Sequence, residues 1–188
     1  MGGRKTDIIS RIAEKILCGD LQAGKNILLR QYPYRPIVVS HRSYTVKQKL
    51  KQFARDGFID RYSGERLVHP GMLKVLSFHY PEDFPYHPHW KTSESHIAYW
   101  ELSPTIDHVL PIASGGKDEP ANWATTSMMR NAVKSNWTLE QLQWRLHPPG
   151  NIADWDGLTA TFLDIVRQNS ALLGDAYIKK WYMASMDA

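Results

Sequence analysis

The sequence predicts an α+β protein in which a strand–loop–strand–helix unit is flanked by helices on both sides. Three observations predict this fold class. Two short segments predicted to be extended, Ile106–Val109 and Ala124–Thr126, are separated by a loop in which Gly115-Gly116 turns the chain back. Ser127 is a plausible N-cap for a helix over Met128–Ser135. Apolar residues at helical spacing occur both before and after this unit.

The flanking helices are predicted from apolar spacing, caps and stop residues. Thr45 with Gln48, and Thr138 with Gln141, have the spacing of capping boxes at the start of two helices. The predicted helices, in chain order, are Thr6–Cys18, Thr45–Ala54, Gly71–Ser77, Thr138–Leu146, 157–171 and 174–183. Two further strands are predicted, a short one at 37–39 and an apolar one at Ile97–Leu102.

These elements divide into three predicted regions. Residues 1–57 form a basic helical region, residues 58–149 a central core with an inserted loop, and residues 150–188 the closing helices. A proline, histidine and aromatic-rich stretch from Phe78 to Trp90 is the inserted loop. The central core is where the residues with distinctive chemistry are concentrated.

Asp107 and His108 are adjacent on a predicted strand, so their side chains leave it on opposite faces. A carboxylate is a ligand that hard divalent cations prefer, and Asn131 can add a neutral carbonyl oxygen. A histidine titrates near neutral pH and suits the deprotonation of water. Phosphodiester hydrolysis needs both an activated water and a counter-charge for the leaving oxygen. These residue types therefore predict a metal-dependent hydrolytic site.

The ordered pattern D-H-V-x-P, G-G, N-W and R-N-x-x-K between Asp107 and Lys134 resembles the HNH, or ββα-metal, endonucleases. The resemblance implies a ββα-metal nuclease core flanked by N-terminal and C-terminal helices. It implies that His108 is the general base and that Asn122 braces the loop carrying the histidine. It also implies that Asp107 and Asn131 hold one divalent ion, Mg²⁺ or Mn²⁺.

One departure from the family concerns zinc. Many HNH domains frame the hairpin with two C-x-x-C pairs, whereas this chain has the single cysteine Cys18, so no structural zinc is expected. The stretch from Arg61 to Leu67 resembles the cysteine-bearing turn without its cysteines. Apolar packing is expected to hold the hairpin instead, through Ile106, Val109, Leu110, Ile112 and Trp123. A zinc site built from His79, His87, His89 and His96 is a weaker alternative, because H-x-H on a proline-rich loop is a poor structural site.

Charge is distributed unevenly, and this predicts a polyanionic partner. Residues 1–60 hold 12 Lys and Arg against five Asp and Glu, and no acidic residue lies between Asp20 and Asp56. Such a surface favours DNA, with RNA left open. Lys47, Lys51 and Arg55 lie four residues apart on one helix face. The predicted DNA-contacting residues are Arg42, Lys47, Lys49, Lys51, Arg55, Arg130 and Lys134.

The leading hypothesis is therefore an HNH endonuclease that cuts DNA, of restriction or phage type. A second hypothesis is a non-cutting regulator that binds DNA like a winged helix, with residues 58–62 and 66–68 as the wing hairpin and a degenerate nuclease lobe. A third is a toxin-like nuclease that degrades DNA or RNA indiscriminately.

Composition limits the remaining possibilities. The 188 residues, of which 43% are hydrophobic, suit one globular domain with an attached lobe. A single cysteine excludes a disulfide framework within the chain. No apolar run is long enough to span a bilayer and no signal-peptide core is recognisable, so a cytoplasmic location is expected. The apolar stripe of the first helix makes a homodimer an open alternative.

Overall fold

The computed structural model describes residues 4–34 and 43–186. The chain divides into two compact units, residues 1–40 and 41–188. The predicted strand at 37–39 and the predicted DNA contact Arg42 lie outside the described residues. In chain order the elements are α1 Lys5–Leu17, α2 Leu21–Gln31, α3 Val46–Arg55, α4 Pro70–His79, α5 Ala98–Glu101, β1 Pro104–His108, β2 Trp123–Ser127, α6 Met128–Lys134, α7 Leu139–Leu142, α8 Thr159–Gln168 and α9 Ala176–Met186.

The first unit contains the helix pair α1 and α2. The predicted α1 is confirmed to within one residue, and Gly19, with a φ of +75°, ends the turn that follows it. Helix α2 was not predicted, because Gly24 and the mixed segment around Asn26 obscure its period. Its start is marked by Asp20, whose carboxylate accepts a hydrogen bond from the Ala23 N–H at 3.0 Å.

The second unit has one hydrophobic core, to which helices and the hairpin both contribute. It joins α3, α4, β1, α8 and α9 through Leu50, Phe53, Phe58, Val75, Ile106, Phe162, Val166, Leu172, Ile178 and Trp181. This core crosses both boundaries expected at residues 57 and 149. The boundary between the two units falls at residue 40, and α3, α8 and α9 all contribute side chains to the core of the second unit.

Helix α3 begins and ends where the sequence predicts. Thr45 and Gln48 form a capping box, confirming that prediction. Gly57 ends the helix with a φ of +63°, and a Cβ there would lie 2.4 Å from the carbonyl carbon of Gly150. Only glycine satisfies both the backbone angle and this close approach.

The hairpin is antiparallel, and its register runs from Pro104 opposite Ser127 to His108 opposite Trp123. Helix α6 follows β2 directly, and Ser127 caps it by accepting a hydrogen bond from the Arg130 N–H at 3.2 Å. The described chain is therefore mainly helical with one two-stranded antiparallel hairpin, which agrees with the α+β class.

Three predicted elements differ from the structure. The predicted strand Ile97–Leu102 is instead the short helix α5, whose Ala98 N–H donates to His96 Nδ1 at 3.2 Å. The helix predicted to reach Leu146 ends at Leu142, because Gln143 adopts a left-handed φ of +57°. The predicted wing is reduced to a single bridge between Ile59 and Arg66.

Two buried aspartates attach the turn after α3 to β2. Asp56 accepts a hydrogen bond from the Thr125 N–H at 2.7 Å and pairs with Arg61 at 2.9 Å. Asp60 accepts from the Ser127 N–H at 2.9 Å. Both carboxylates are 1% exposed, so these bonds are shielded from water. Of the five apolar residues predicted to hold the hairpin, Ile106 and Trp123 pack in the core, whereas Leu110 is 43% exposed. These two carboxylates therefore hold the hairpin together with the apolar packing.

His69 is a fully buried histidine at the start of α4. Its Nδ1 accepts a hydrogen bond from the Gly71 N–H at 3.1 Å, so Nε2 carries the proton and donates to Ser185 Oγ at 3.0 Å. The ring stacks on Phe162, with centroids 4.6 Å apart. Burial lowers the pKa of His69 to about 3, because the protonated, charged imidazole could not be hydrated at this position.

This lowered pKa predicts a specific acid sensitivity. Below the ordinary histidine pKa of about 6.5, the unfolded chain binds a proton at His69 that the folded chain excludes. The free energy of unfolding should therefore fall by roughly 1 kcal/mol for each pH unit between about pH 6 and pH 3 from this residue alone. Urea denaturation at pH 7, 6, 5 and 4 measures the slope. His69→Asn, which keeps an N-cap acceptor, should show a shallower slope; equal slopes would contradict the prediction.

Candidate active site

Asp107 and His108 occupy the last two positions of β1, and the structure confirms that their side chains point to opposite faces. Asp107 faces α6, where it pairs with Lys134, and His108 faces Tyr44 and the loop between the strands. Asp107 is 8% exposed and His108 is 9% exposed. Both therefore lie at the edge of the core, largely shielded from water.

His108 is held by a carboxylate on the loop between the strands. Its Nε2 lies 2.8 Å from Asp118 Oδ1, which also accepts from Tyr44 Oη at 2.6 Å and from Trp123 Nε1 at 2.8 Å. Because a carboxylate can only accept, Nε2 carries the proton and the neutral ring leaves Nδ1 as its lone-pair nitrogen. Nδ1 has no hydrogen-bond partner among the described residues, and no fully buried side-chain nitrogen or oxygen there lacks one. Nδ1 therefore keeps some contact with solvent.

Asp118 is an ionised partner for this histidine. Partial burial raises its pKa, but hydrogen bonds from Tyr44, His108 and Trp123 outweigh that effect and leave the pKa below its ordinary value. The carboxylate therefore stays charged at neutral pH and accepts the Nε2–H hydrogen bond of His108.

Asp107 is held on one of its two oxygens. Its Oδ2 accepts from Tyr62 Oη at 2.7 Å and pairs with Lys134 Nζ at 2.8 Å. Lys134 is fully buried and also donates to the His108 carbonyl at 2.7 Å. Burial, and then the charge of Asp107, raise the pKa of Tyr62, so it remains a neutral donor. The second oxygen, Oδ1, has no partner among the described residues.

Asn131 lies on the half-buried part of α6, three residues before Lys134. Residues three apart share a helix face, so Asn131 is on the side from which Lys134 reaches β1. Its amide makes no side-chain hydrogen bond within the described part of the chain. The helix and the strand predicted to supply the two metal ligands are thus packed together.

The donor set suits a hard cation with few protein ligands. Asp107 Oδ1 and the Asn131 carbonyl are both uncommitted oxygens, and Mg²⁺ commonly keeps several waters beside one or two protein ligands. Among residues 4–34 and 43–186, no group of three or more His, Cys, Asp or Glu is arranged to hold a metal ion. Lys134 already supplies a positive charge to Asp107 Oδ2, so a cation bound at Oδ1 would be repelled by the Lys134 ammonium group.

Asn122 supports the loop between the strands. Its Oδ1 accepts from the Leu110 N–H at 2.9 Å, and its Nδ2 donates to the carbonyls of Leu110 and Lys117, each at 2.9 Å. Gly116 packs so tightly against this brace that a Cβ there would lie 1.9 Å from the Leu110 carbonyl oxygen. The bracing role given to Asn122 on resemblance agrees with these contacts, and the loop it fixes also carries Asp118.

Helix α3 presents part of the basic face expected from the sequence. Lys47, Lys51 and Arg55 are exposed, four residues apart along the helix. Arg55 also donates to the carbonyls of Pro120 and Trp123, at 2.7 and 2.8 Å, and so links α3 to the start of β2. Lys49 lies on a different face of the helix and is partly exposed.

The remaining predicted DNA contacts are placed differently. Arg130 lies with its guanidinium 5.5 Å from the ring centroid of Trp144, partly exposed. Lys134 is fully buried against Asp107, so the expected phosphate contact does not agree with its position. Of the loop histidines, His87 contacts the His89 N–H through Nδ1 and Glu94 through Nε2, at 3.1 and 3.6 Å.

Sequence reasoning missed Asp118, Tyr44 and Tyr62. Asp118 carried one usable signal, since it is a carboxylate in the short loop between Gly116 and Asn122 that the motif itself folds back. Tyr44 and Tyr62 are distant in sequence from the motif and carried none. Lys134 was identified, but as a phosphate contact.

None of the described helices is long and apolar enough to cross a membrane. Compared with protein-family models, curated proteins and solved structures, the chain shows no significant match to any of them.

Proposed function

We propose that the protein is a metal-dependent endonuclease that hydrolyses phosphodiester bonds in DNA, with the chemistry of the HNH family. One observation carries the proposal: His108 is oriented through Nε2 by the ionised Asp118, while its Nδ1 has no hydrogen-bond partner among the described residues. A histidine fixed in one tautomer by a carboxylate is the arrangement that general-base catalysis requires. Cytoplasmic location and homodimer formation remain predictions.

The residues have separable roles in this proposal. His108 takes a proton from water through Nδ1, and Asp118 stabilises the imidazolium that forms. Asp107 Oδ1 and the Asn131 carbonyl would hold one Mg²⁺ or Mn²⁺ ion, which supplies positive charge for the departing 3′ oxygen. Tyr62 and Lys134 fix the Asp107 carboxylate through its other oxygen. The family resemblance implies 5′-phosphate and 3′-hydroxyl ends.

The exposed lysines of α3 supply the contact with substrate. Lys47 and Lys51 lie on the helix whose Arg55 is joined to the start of β2, so this basic face adjoins the hairpin that carries the site. Contacts of this kind neutralise backbone phosphates and make binding salt-dependent more than sequence-dependent.

Plasmid digestion tests the proposal directly. Purified protein should nick or linearise supercoiled DNA in the presence of Mg²⁺ or Mn²⁺. Cleavage should stop when a chelator is added. Sequencing the ends would establish the position of the phosphate. Intact plasmid under every metal condition would contradict the proposed function.

Asp118 provides a sharper test of the histidine's orientation. Asp118→Asn keeps the shape but removes the charge that favours the imidazolium, so the cleavage rate should fall at least tenfold. Glu119→Gln removes the neighbouring exposed charge and is the matched control. Equal rates for the two variants would assign Asp118 no positioning role.

A second function is favoured by a different observation. The buried Lys134 ammonium already neutralises Asp107, as expected of a site that has lost its metal. With the basic face of α3, this suggests a non-cutting regulator that binds DNA. Retention of DNA in a mobility-shift assay, without nicks and without any metal effect on thermal stability, would support the regulator over the nuclease.

A further inference from the structure

A cavity of about 400 Å³ lies beside the start of β1 and is not used by the proposed catalytic residues. Its walls are largely aromatic, formed in part by Trp90, Trp100 and Tyr177. Trp100 Nε1 donates to the Trp90 carbonyl at 3.2 Å, and the two indole rings meet edge to face with centroids 6.5 Å apart. The two tryptophans are therefore fixed relative to one another while each remains partly exposed.

The cavity is positively charged on one side. Lys49 lines it, and none of the described lining residues is acidic. Neither Lys49 nor Lys180 forms an ion pair with a described carboxylate. Burial, and then the nearby charge of Lys180, lower the pKa of Lys49, which is the environment of an ammonium group that lacks a counter-ion.

From this arrangement we propose that the cavity binds one nucleotide, with the base against Trp90 and Trp100 and a phosphate at Lys49. Aromatic side chains accept any base because every base has a π-face, and stacking is commonly combined with a cationic contact to the backbone. A ligand with both an aromatic ring and an anionic group complements both sides of the cavity. Trp90 has a left-handed φ of +49°, and such strained residues cluster at binding sites.

The position of the cavity connects it with the proposed reaction. Thr105 lines it and precedes Asp107 by two residues on β1, which corresponds to about 7 Å along the strand. A nucleotide in the cavity would thus lie close to the phosphate undergoing hydrolysis. This assignment to the substrate strand rests on the proposed function, whereas nucleotide binding itself does not.

Titration of the full chain with thymidine 5′-monophosphate tests the proposal, followed by the indole N–H NMR signals of Trp90 and Trp100. Both signals should shift with saturation, and Lys49→Met should weaken binding about tenfold while the fold is retained. Lys179→Met, which alters an exposed lysine of α9 that does not line the cavity, is the matched control and should bind like wild type. Thymidine should bind more weakly than the monophosphate, and inorganic phosphate should leave the two signals in place.

Three results would overturn the inference. The first is that neither tryptophan signal moves. The second is an equal loss of binding for Lys49→Met and Lys179→Met. The third is an equal response to inorganic phosphate alone. The outcome is separable from the proposed function. If the protein binds the nucleotide through Lys49 but never cuts DNA, the nucleotide site is supported and the nuclease proposal is contradicted. If it cuts DNA without such binding, the nuclease proposal is supported and the nucleotide site is contradicted.

Discussion

Replacing His108 with alanine should abolish plasmid cleavage while DNA retention and folding are preserved. His108 is the residue whose Nδ1 is both open to solvent and oriented by a carboxylate on the opposite ring nitrogen. General-base catalysis contributes about 10²- to 10⁴-fold, so a loss of at least a hundredfold in single-turnover rate is expected. Supercoiled plasmid with Mn²⁺, followed over time on a gel, measures it.

The control for this variant is His79→Ala, because His79 is an exposed histidine on α4 away from the hairpin. It should cut at the wild-type rate. Thermal denaturation of both variants would show that the fold is intact. Unchanged cleavage by His108→Ala would refute the proposed general base, and the hydrolytic mechanism with it.

Lys134→Met should destabilise the metal-free protein by about 3–5 kcal/mol, and Mn²⁺ should restore part of that loss. The ammonium is fully buried and its removal leaves the Asp107 carboxylate shielded from water without its cation. A divalent ion that binds Asp107 in the folded state takes over this compensation and stabilises it by mass action. Urea denaturation with chelator and with increasing Mn²⁺ measures both effects.

This experiment also separates the two candidate functions. If Asp107 is a metal ligand, Mn²⁺ should stabilise Lys134→Met more than it stabilises wild type. This stabilisation should disappear in the double variant Lys134→Met/Asp107→Asn. Lys179→Met, which alters an exposed lysine on α9, should show neither effect. A destabilised Lys134→Met that ignores Mn²⁺ would indicate that the ion pair is purely structural, as the regulator requires.

Local signals predicted the elements that position the site. The capping box of Thr45 and Gln48, the cap at Ser127 and the turn at Gly115-Gly116 act over a few residues, so they can be recognised in the sequence. The alternation of Asp107 and His108 follows from the two-residue period of a strand. Ile97–Leu102 was predicted as a strand because a short apolar run does not distinguish a strand from a helix. Tertiary packing made this segment helical.

What the sequence alone determined was the residue types of the site, their order, and the hairpin and helix that carry them. Only the tertiary structure decided which partners those residues have. Asp118 meets His108 because Asn122 folds the loop back, and Lys134 meets Asp107 because α6 packs on β1. Tyr44 and Tyr62 reach the same two residues from 64 and 45 positions away in the chain. The physical reason is that charge compensation and proton affinity depend on distance in space and on burial, and neither is encoded in local spacing.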